Sequence, residues 1–176
     1  MENQIIMRND VNSVTFCTSM EEAYNKAGED SISWNVDDRN EGNIMAYAKA
    51  INVGDTVIYD VYIGSKGKIN ANENSSYLFS NIGNNENCAD TSLVKGMENV
   101  NWSQVTNMEG MFYSAGQTAM ISLDLGTNFD TSNVVNMNSM FDFCGVNNME
   151  SINLGDKFDT SKVTDMTNMF RSCRKI

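Results

Sequence analysis

From residue 91 onward, apolar positions return at a fixed interval. Phe129-Asp130-Thr131-Ser132-Asn133-Val134-Val135-Asn136-Met137-Asn138-Ser139-Met140-Phe141 recurs as Phe158-Asp159-Thr160-Ser161-Lys162-Val163-Thr164-Asp165-Met166-Thr167-Asn168-Met169-Phe170. The same step taken backward finds a third copy, Val100 to Phe112, with no insertion or deletion. Within a copy, Val134, Met137, Met140 and Phe141 are spaced by three, three and one. That spacing predicts one face of a short helix, with Thr131 or Ser132 capping its start. Upstream, Met120-x-x-Leu123-x-Leu125 and Met149-x-x-Ile152-x-Leu154 read as strands, with Thr91-x-x-Val94-x-Gly96 as a degraded first copy. Residues 1 to about 90 lack the period. There the strand signals are Ser13 to Phe16, Ile32 to Val36 and Val57 to Ile63, while Asn43 to Ala50 leans to strand. Ser19-Met20-Glu21-Glu22 is a capping box that opens a helix running to Gly28.

These elements predict an α/β solenoid: a leucine-rich-repeat-like array of three 29-residue strand-plus-short-helix units over residues 91–176, sealed by an N-terminal α+β cap over residues 1–90. A partial repeat near residues 72–83 joins the two, because Asn74 to Ser80 resembles the helix start at Asn107 to Phe112, and Asn81 to Asp90 follows as a polar loop. Single units cannot bury their apolar faces alone, so stacking should build columns such as Val100/Phe129/Phe158, Val105/Val134/Val163 and Met111/Met140/Met169. Polar columns, Ser103/Ser132/Ser161 and Asn107/Asn136/Asp165, are placed to satisfy backbone groups at tight corners. The last coil should be exposed and able to pair with another copy.

The motif Phe-Asp-Thr-Ser-Asn/Lys-Val-x-x-Met-x-x-Met-Phe, followed by Cys144 or Cys173, resembles the BspA-like bacterial surface repeat, a relative of leucine-rich repeats. The likeness spans Thr91 to Cys173 by repeat. It extends upstream, where Asn43 to Tyr47, Tyr62-Ile63-Gly64 and Asn72 to Phe79 resemble the segment preceding such repeats in Firmicutes and Mollicutes proteins. The resemblance implies adhesion or protein recognition at a bacterial surface, without cofactor or catalysis. Family members are often long, exported and anchored, whereas three full repeats are read here and neither a signal nor a wall-anchoring tail is expected from residues 1–176 as they stand. The expected location is therefore the cytoplasm if Met1 is the native start, and the cell surface if the chain is an excised fragment.

Charge narrows the partner. With 23 acidic and 12 basic side chains the net charge is −11, which disfavours direct binding to a phosphate backbone. Acidity of this size serves solubility, and it also suits a basic partner surface. The leading expectation is a non-enzymatic protein-binding module of the surface or adhesin kind. It would recognise a protein, or a glycan, through outward positions of its strand ladder: Lys95, Asp124 and Asn153 in one column, with Leu93, Ser122 and Ser151 beside them. The alternative is a small acidic cytosolic inhibitor, possibly phage-encoded, that occupies the nucleic-acid cleft of a basic enzyme. No apolar run approaches membrane-spanning length, and oligomeric state is open.

Candidate chemistry is sparse. The chain has no histidine, which removes Ser-His-Asp and Cys-His arrangements and the usual zinc sets. Asp130 and Asp159 would lie about 5 Å apart on adjacent coils, superficially like a retaining glycosidase pair, but they fall at a repeat corner. The acidic loop Asp37 to Asn43 fails as an EF-hand, with Arg39 at its third position and Ala48 at its twelfth. Cys144 and Cys173 should stack as free thiols, since a ladder aims both side chains alike. There is no Walker A sequence and no strand-linked G-x-G-x-x-G. No cofactor, metal or catalytic residue is expected.

Overall fold

A computed structural model describes residues 6–37 and 41–173. After a 3-10 turn at Arg8–Asp10, the N-terminal half builds β1 (Val11–Phe16), α1 (Met20–Ala27), β2 (Ile32–Asn35), β3 (Ile44–Val53), β4 (Thr56–Ser65) and β5 (Ile69–Asn70). Then come β6 (Val94–Lys95), a 3-10 turn at Met97–Asn99, β7 (Val100–Asn101), β8 (Ser122–Asp124) and β9 (Ser151–Asn153). The main sheet has the order β2-β3-β4-β1-β6, antiparallel across β2-β3-β4 and parallel across β4-β1-β6. Two further pairs, β5-β7 and β8-β9, are parallel.

The capping box forms as the sequence predicts. The Ser19 hydroxyl accepts from the Glu22 N–H at 3.1 Å, while the Glu22 carboxylate returns to the Thr18 N–H at 2.8 Å. Gly28 ends the helix at φ 89°. Buried Ala23 and Ala27 set α1 on β3 and β4. A Cβ on Gly64 of β4 would lie 2.3 Å from the Ser19 carbonyl, so only glycine admits the start of the helix there.

The α/β solenoid with a leucine-rich-repeat-like array is corrected. Among the described residues α1 is the single α-helix, and the repeats contain none; the architecture is mixed β-sheet with long runs of turns. Four turn rows, residues 74–83, 107–116, 136–145 and 165–173, occupy the places where helices were predicted. In each row alternate N–H groups bond three residues back, such as Met140 to Met137, Asp142 to Ser139 and Cys144 to Phe141 at 3.0–3.2 Å. The intervening N–H groups leave the row altogether. Those of Met137, Ser139, Phe141 and Phe143 donate to the carbonyls of Asp165, Thr167, Met169 and Arg171 at 2.8–2.9 Å. An α-helix would keep both sets inside itself. Left-handed residues recur every fourth position, Tyr77/Asn81, Gly110/Ser114, Ser139/Phe143 and Asn168/Ser172, at φ 53–60°, and such residues interrupt any right-handed helix. Thr131, predicted as a cap, instead bridges to the next coil. Its hydroxyl donates to the Asp159 carbonyl at 2.9 Å and accepts the Asp159 N–H at 2.7 Å.

The apolar columns do form. Val134, Met137, Met140, Phe141 and Cys144 are fully buried, as are Val105, Met108, Met111 and Phe112 one coil earlier. Phe79, Phe112, Phe141 and Phe170 stack through centroid distances of 5.1, 5.5 and 5.1 Å, with Phe16 closing the stack edge-on at 6.1 Å. Residues 74–83 join this stack through the bridge of Asn74 to Asn107. The same bridge continues to Asn136 and Asp165. Burial fades in the final coil, where Phe158 and Val163 are half-buried and Met166 and Phe170 exposed.

Candidate interaction surface

The predicted surface residues divide. β8 and β9 bring four of them together in register, Ser122 opposite Ser151 and Asp124 opposite Asn153. Their alternate neighbours Leu123 and Leu125 point into the core, which leaves Asp124, Ser151 and Asn153 exposed and Ser122 half-buried. The Asn153 amide donates to Asp124 Oδ1 at 3.0 Å, which also accepts the Gly126 N–H at 2.8 Å; Asn153 Oδ1 accepts the Gly155 N–H at 3.1 Å. These two side chains thus tie the strand ends to their following turns.

Lys95 does not continue this column. It lies in β6, opposite Thr15 of β1, with its ammonium paired to the Asp90 carboxylate. Leu93 is not on the surface at all, since it is 1% exposed and packs in the core at φ 54°. The cause is a slip of a single position. Glu150 donates to the Ile121 carbonyl, one full period back, but Ile121 donates to Thr91, one position further than a period. The degraded first copy therefore joins the main sheet.

Along another side of the stack runs a row of aromatic rings absent from the sequence reading: Tyr77, Tyr113 and Phe143, at 6.4 and 6.2 Å, ending with the Arg171 guanidinium 5.3 Å from the Phe143 centroid. Tyr77 is 42% exposed and its hydroxyl donates to Glu109 at 2.9 Å. Neither the repeat period nor the interval from Asn74 to Asn107 relates these three positions, so no periodic signal marks them. Arg171 also fixes the fully buried Asp142 carboxylate through two bonds, Nε at 3.0 Å and Nη2 at 2.6 Å.

The acidic side chains are occupied locally. Asp130 lies below its ordinary pKa because the Ser132 hydroxyl and N–H donate to it, and Asp159 does so because the Ser161 N–H and hydroxyl donate. Asp165 is lowered mainly by Thr167, and then by Asn138. Groups lowered in this way favour the charged form and are poorly suited to proton donation near neutral pH. The polar column Asn107/Asn136/Asp165 performs the task expected of it: each side-chain oxygen accepts the N–H two residues on, at 2.8–2.9 Å. For the corners at Ser103, Ser132 and Ser161 that acceptor comes from Asn101, Asp130 and Asp159, two residues earlier.

Of the acidic loop, Asp38 to Asn40 lie outside the described residues. Asp37 closes it by accepting from the N–H groups of Glu41 at 2.9 Å and Asn43 at 2.7 Å. Among the described residues no group of three or more His, Cys, Asp or Glu side chains is placed to hold a metal ion. All four cysteines are free thiols, Cys17, Cys88 and Cys144 buried and Cys173 half-buried. No helix among the described residues is long and apolar enough to cross a membrane.

The family model described as "Mycoplasma protein of unknown function, DUF285" matches residues 73–176, more than half of the chain, and the chain belongs to that family. Its match begins at the first turn row and takes in all four. No curated protein and no solved structure matches the chain.

Proposed function

We propose that this protein is a non-enzymatic binding module of the bacterial surface-repeat kind, offering the β8-β9 flank to a protein or glycan partner. The observation that carries the reading is the ladder of small polar side chains Ser122/Ser151 and Asp124/Asn153, held in register on a buried apolar backing. A flat, pre-ordered polar face of this kind loses little entropy on binding. Membership of DUF285 and the likeness of Phe129 to Phe141 and Phe158 to Phe170 to BspA-like repeats both support it. So does a chain without histidine, whose corner aspartates serve as backbone acceptors.

The rival, an acidic inhibitor of a basic nucleic-acid enzyme, draws on the net charge of −11. Mimicry of a phosphate backbone calls for carboxylates aimed outward, and those of Asp130, Asp159 and Asp165 are engaged with their own turns. The test is affinity capture with the intact protein from bacterial lysate and from host-surface extract, at low and high salt, with identification by mass spectrometry. The expected result is a surface or matrix component retained by the unmodified protein and lost with Ser151→Arg or Asp124→Arg. A nucleic-acid enzyme released by salt would overturn the module reading in favour of the inhibitor.

A further inference from the structure

Chain direction leaves a crevice at the carboxyl ends of the parallel strands. Thr15 of β1 stands opposite Tyr62 of β4 on one side and Lys95 of β6 on the other, so the three side chains form a row on one face of the sheet. After β1 the chain crosses that face as α1, which packs on β3 and β4 and sets Tyr24 against Tyr47 at 5.8 Å. After β6 it leaves by the opposite face, where Met97, Val100 and Trp102 enter the core with Val14 and Phe16. Neighbouring parallel strands whose connections part in this way leave an opening outside their carboxyl ends, the usual place for a ligand in open sheets. Here the opening is a groove of about 630 Å³. Its floor is the row Tyr62–Thr15–Lys95, with Glu22 and Lys26 of α1 along one wall and Glu98 and Asn99 along the other. The Asn99 amide donates to the Phe16 carbonyl at 2.8 Å and holds its wall against the end of β1. Small-molecule sites span about 300–1,000 Å³.

The polar groups of the groove fall into two sets. Lys26 is paired with Glu22 at 2.8 Å, Lys95 is paired with Asp90, and the Thr18 hydroxyl donates to the Glu22 carboxylate at 2.6 Å. Each ammonium keeps spare N–H donors while its charge is already balanced. Among the described residues, no hydrogen bond engages the hydroxyls of Thr15 and Tyr62 or the carboxylate of Glu98. Burial, followed by the charge of Asp60, raises the Tyr62 phenol and keeps it a protonated donor at neutral pH. A free anion would meet Glu98, and a free cation would meet Lys26 and Lys95. A sugar fits both sets, because each of its hydroxyls donates and accepts and it brings no charge whose desolvation must be matched. The Tyr62 ring offers an apolar body beside its polar tip for the C–H face of such a ligand.

We infer that the groove between α1 and the Met97–Asn99 turn is a binding site for a neutral sugar, with Thr15, Tyr62 and Glu98 bonding its hydroxyls. The site lies in the N-terminal half and stands apart from the reading of the β8-β9 flank. The test titrates the full chain with glucose, galactose, mannose and N-acetylglucosamine, and in parallel with inorganic phosphate and glucuronate, following backbone amide shifts by NMR. At least one neutral sugar should move the amides of Thr15, Tyr62, Lys95 and Glu98 saturably, with a Kd of about 1–10 mM, as befits about a dozen non-hydrogen atoms. Thr15→Val and Tyr62→Phe keep shape and remove one hydroxyl each; each should raise that Kd about threefold to tenfold, with an unmoved Phe141 amide as the check on folding. Methyl glycosides that bind as tightly as the free sugars identify the end of a glycan chain as the ligand, and binding restricted to the free sugars identifies a soluble one. Silence of the groove amides toward all four sugars up to about 50 mM refutes the site. So do shifts confined to Ser122–Asp124 and Ser151–Asn153, tighter binding of phosphate or glucuronate than of any neutral sugar, or unchanged affinity in both variants.

Discussion

Replacing Ser139 with glycine distinguishes turn from helix by sign. Ser139 sits at φ 53°, its side chain is half-buried, and its N–H, which glycine keeps, bonds to the Thr167 carbonyl at 2.8 Å. An L-residue in the left-handed region carries about 1–2 kcal/mol of strain. Glycine relieves that strain and gives back about 0.5–1 kcal/mol in chain entropy, so Ser139→Gly should stabilise by about 0.5–1 kcal/mol. In a helix interior the same change would cost about 0.5 kcal/mol. The protein already holds glycine at the equivalent place one coil earlier, Gly110, at φ 56°. There the reverse change, Gly110→Ala, would restore the strain and set a Cβ 2.3 Å from Tyr77 Cε1, so it should destabilise. Equilibrium urea unfolding reads both. With a slope of about 2 kcal/mol per molar, the midpoint should rise by about 0.25–0.5 M for Ser139→Gly. A midpoint that falls would refute the turn geometry.

Three further outcomes are expected. Phe141→Ala removes a fully buried ring stacked on both sides and should cost about 3–5 kcal/mol; Phe170→Ala, half-exposed and stacked on one side, should cost about 1–2 kcal/mol, and a reversed order in urea unfolding would contradict the stack. Asp130, Asp159 and Asp165 have folded-state pKa values below the ordinary 3.8, so their contribution is complete above that value and is lost as pH falls through the lowered ones. Asp165→Asn keeps the turn, as Asn107 and Asn136 do, and should leave neutral stability unchanged while softening the acid loss in melts taken from about pH 6 down to about pH 2.5. Among the thiols, burial pushes Cys88 up to about 11 and raises Cys17, and contact with the Cys173 thiol raises Cys144, while Cys144 in turn lowers Cys173. Alkylation at about pH 8 followed by peptide mass mapping should therefore label Cys173 first.

The core of the repeats was legible because burial depends only on which side chains point inward. Met137, Met140, Phe141 and Cys144 do so in a tandem turn as they would on a helix face, and the spacing alone does not separate the two. The separating signal is a different column, Gly110/Ser139/Asn168 with Gly116/Gly145 beside it, in which small or turn-forming residues recur at left-handed positions. In the N-terminal half, β1 to β4 and α1 follow the expected segments because each carries its own alternation or cap. The five-stranded order was not legible, since β6 is a mere pair of residues, Val94 and Lys95, and reaches β1 across the whole of β2 to β5 in sequence. Of the candidate surface, Ser122, Asp124, Ser151 and Asn153 are paired in register because the period holds between β8 and β9. Lys95 was misplaced because Thr91 breaks the period by a single position, a slip visible only in hydrogen bonds.

The bonding between rows bears on how the chain acquires its shape. Donors of one row and carbonyls of the next fix each other's register, so each coil takes its shape only against a neighbour. Burial is complete around Phe112 and Phe141 and fades at Met166 and Phe170, while Phe16 covers Phe79 at the other end. Opening should therefore begin at the last coil and reach the inner ones last.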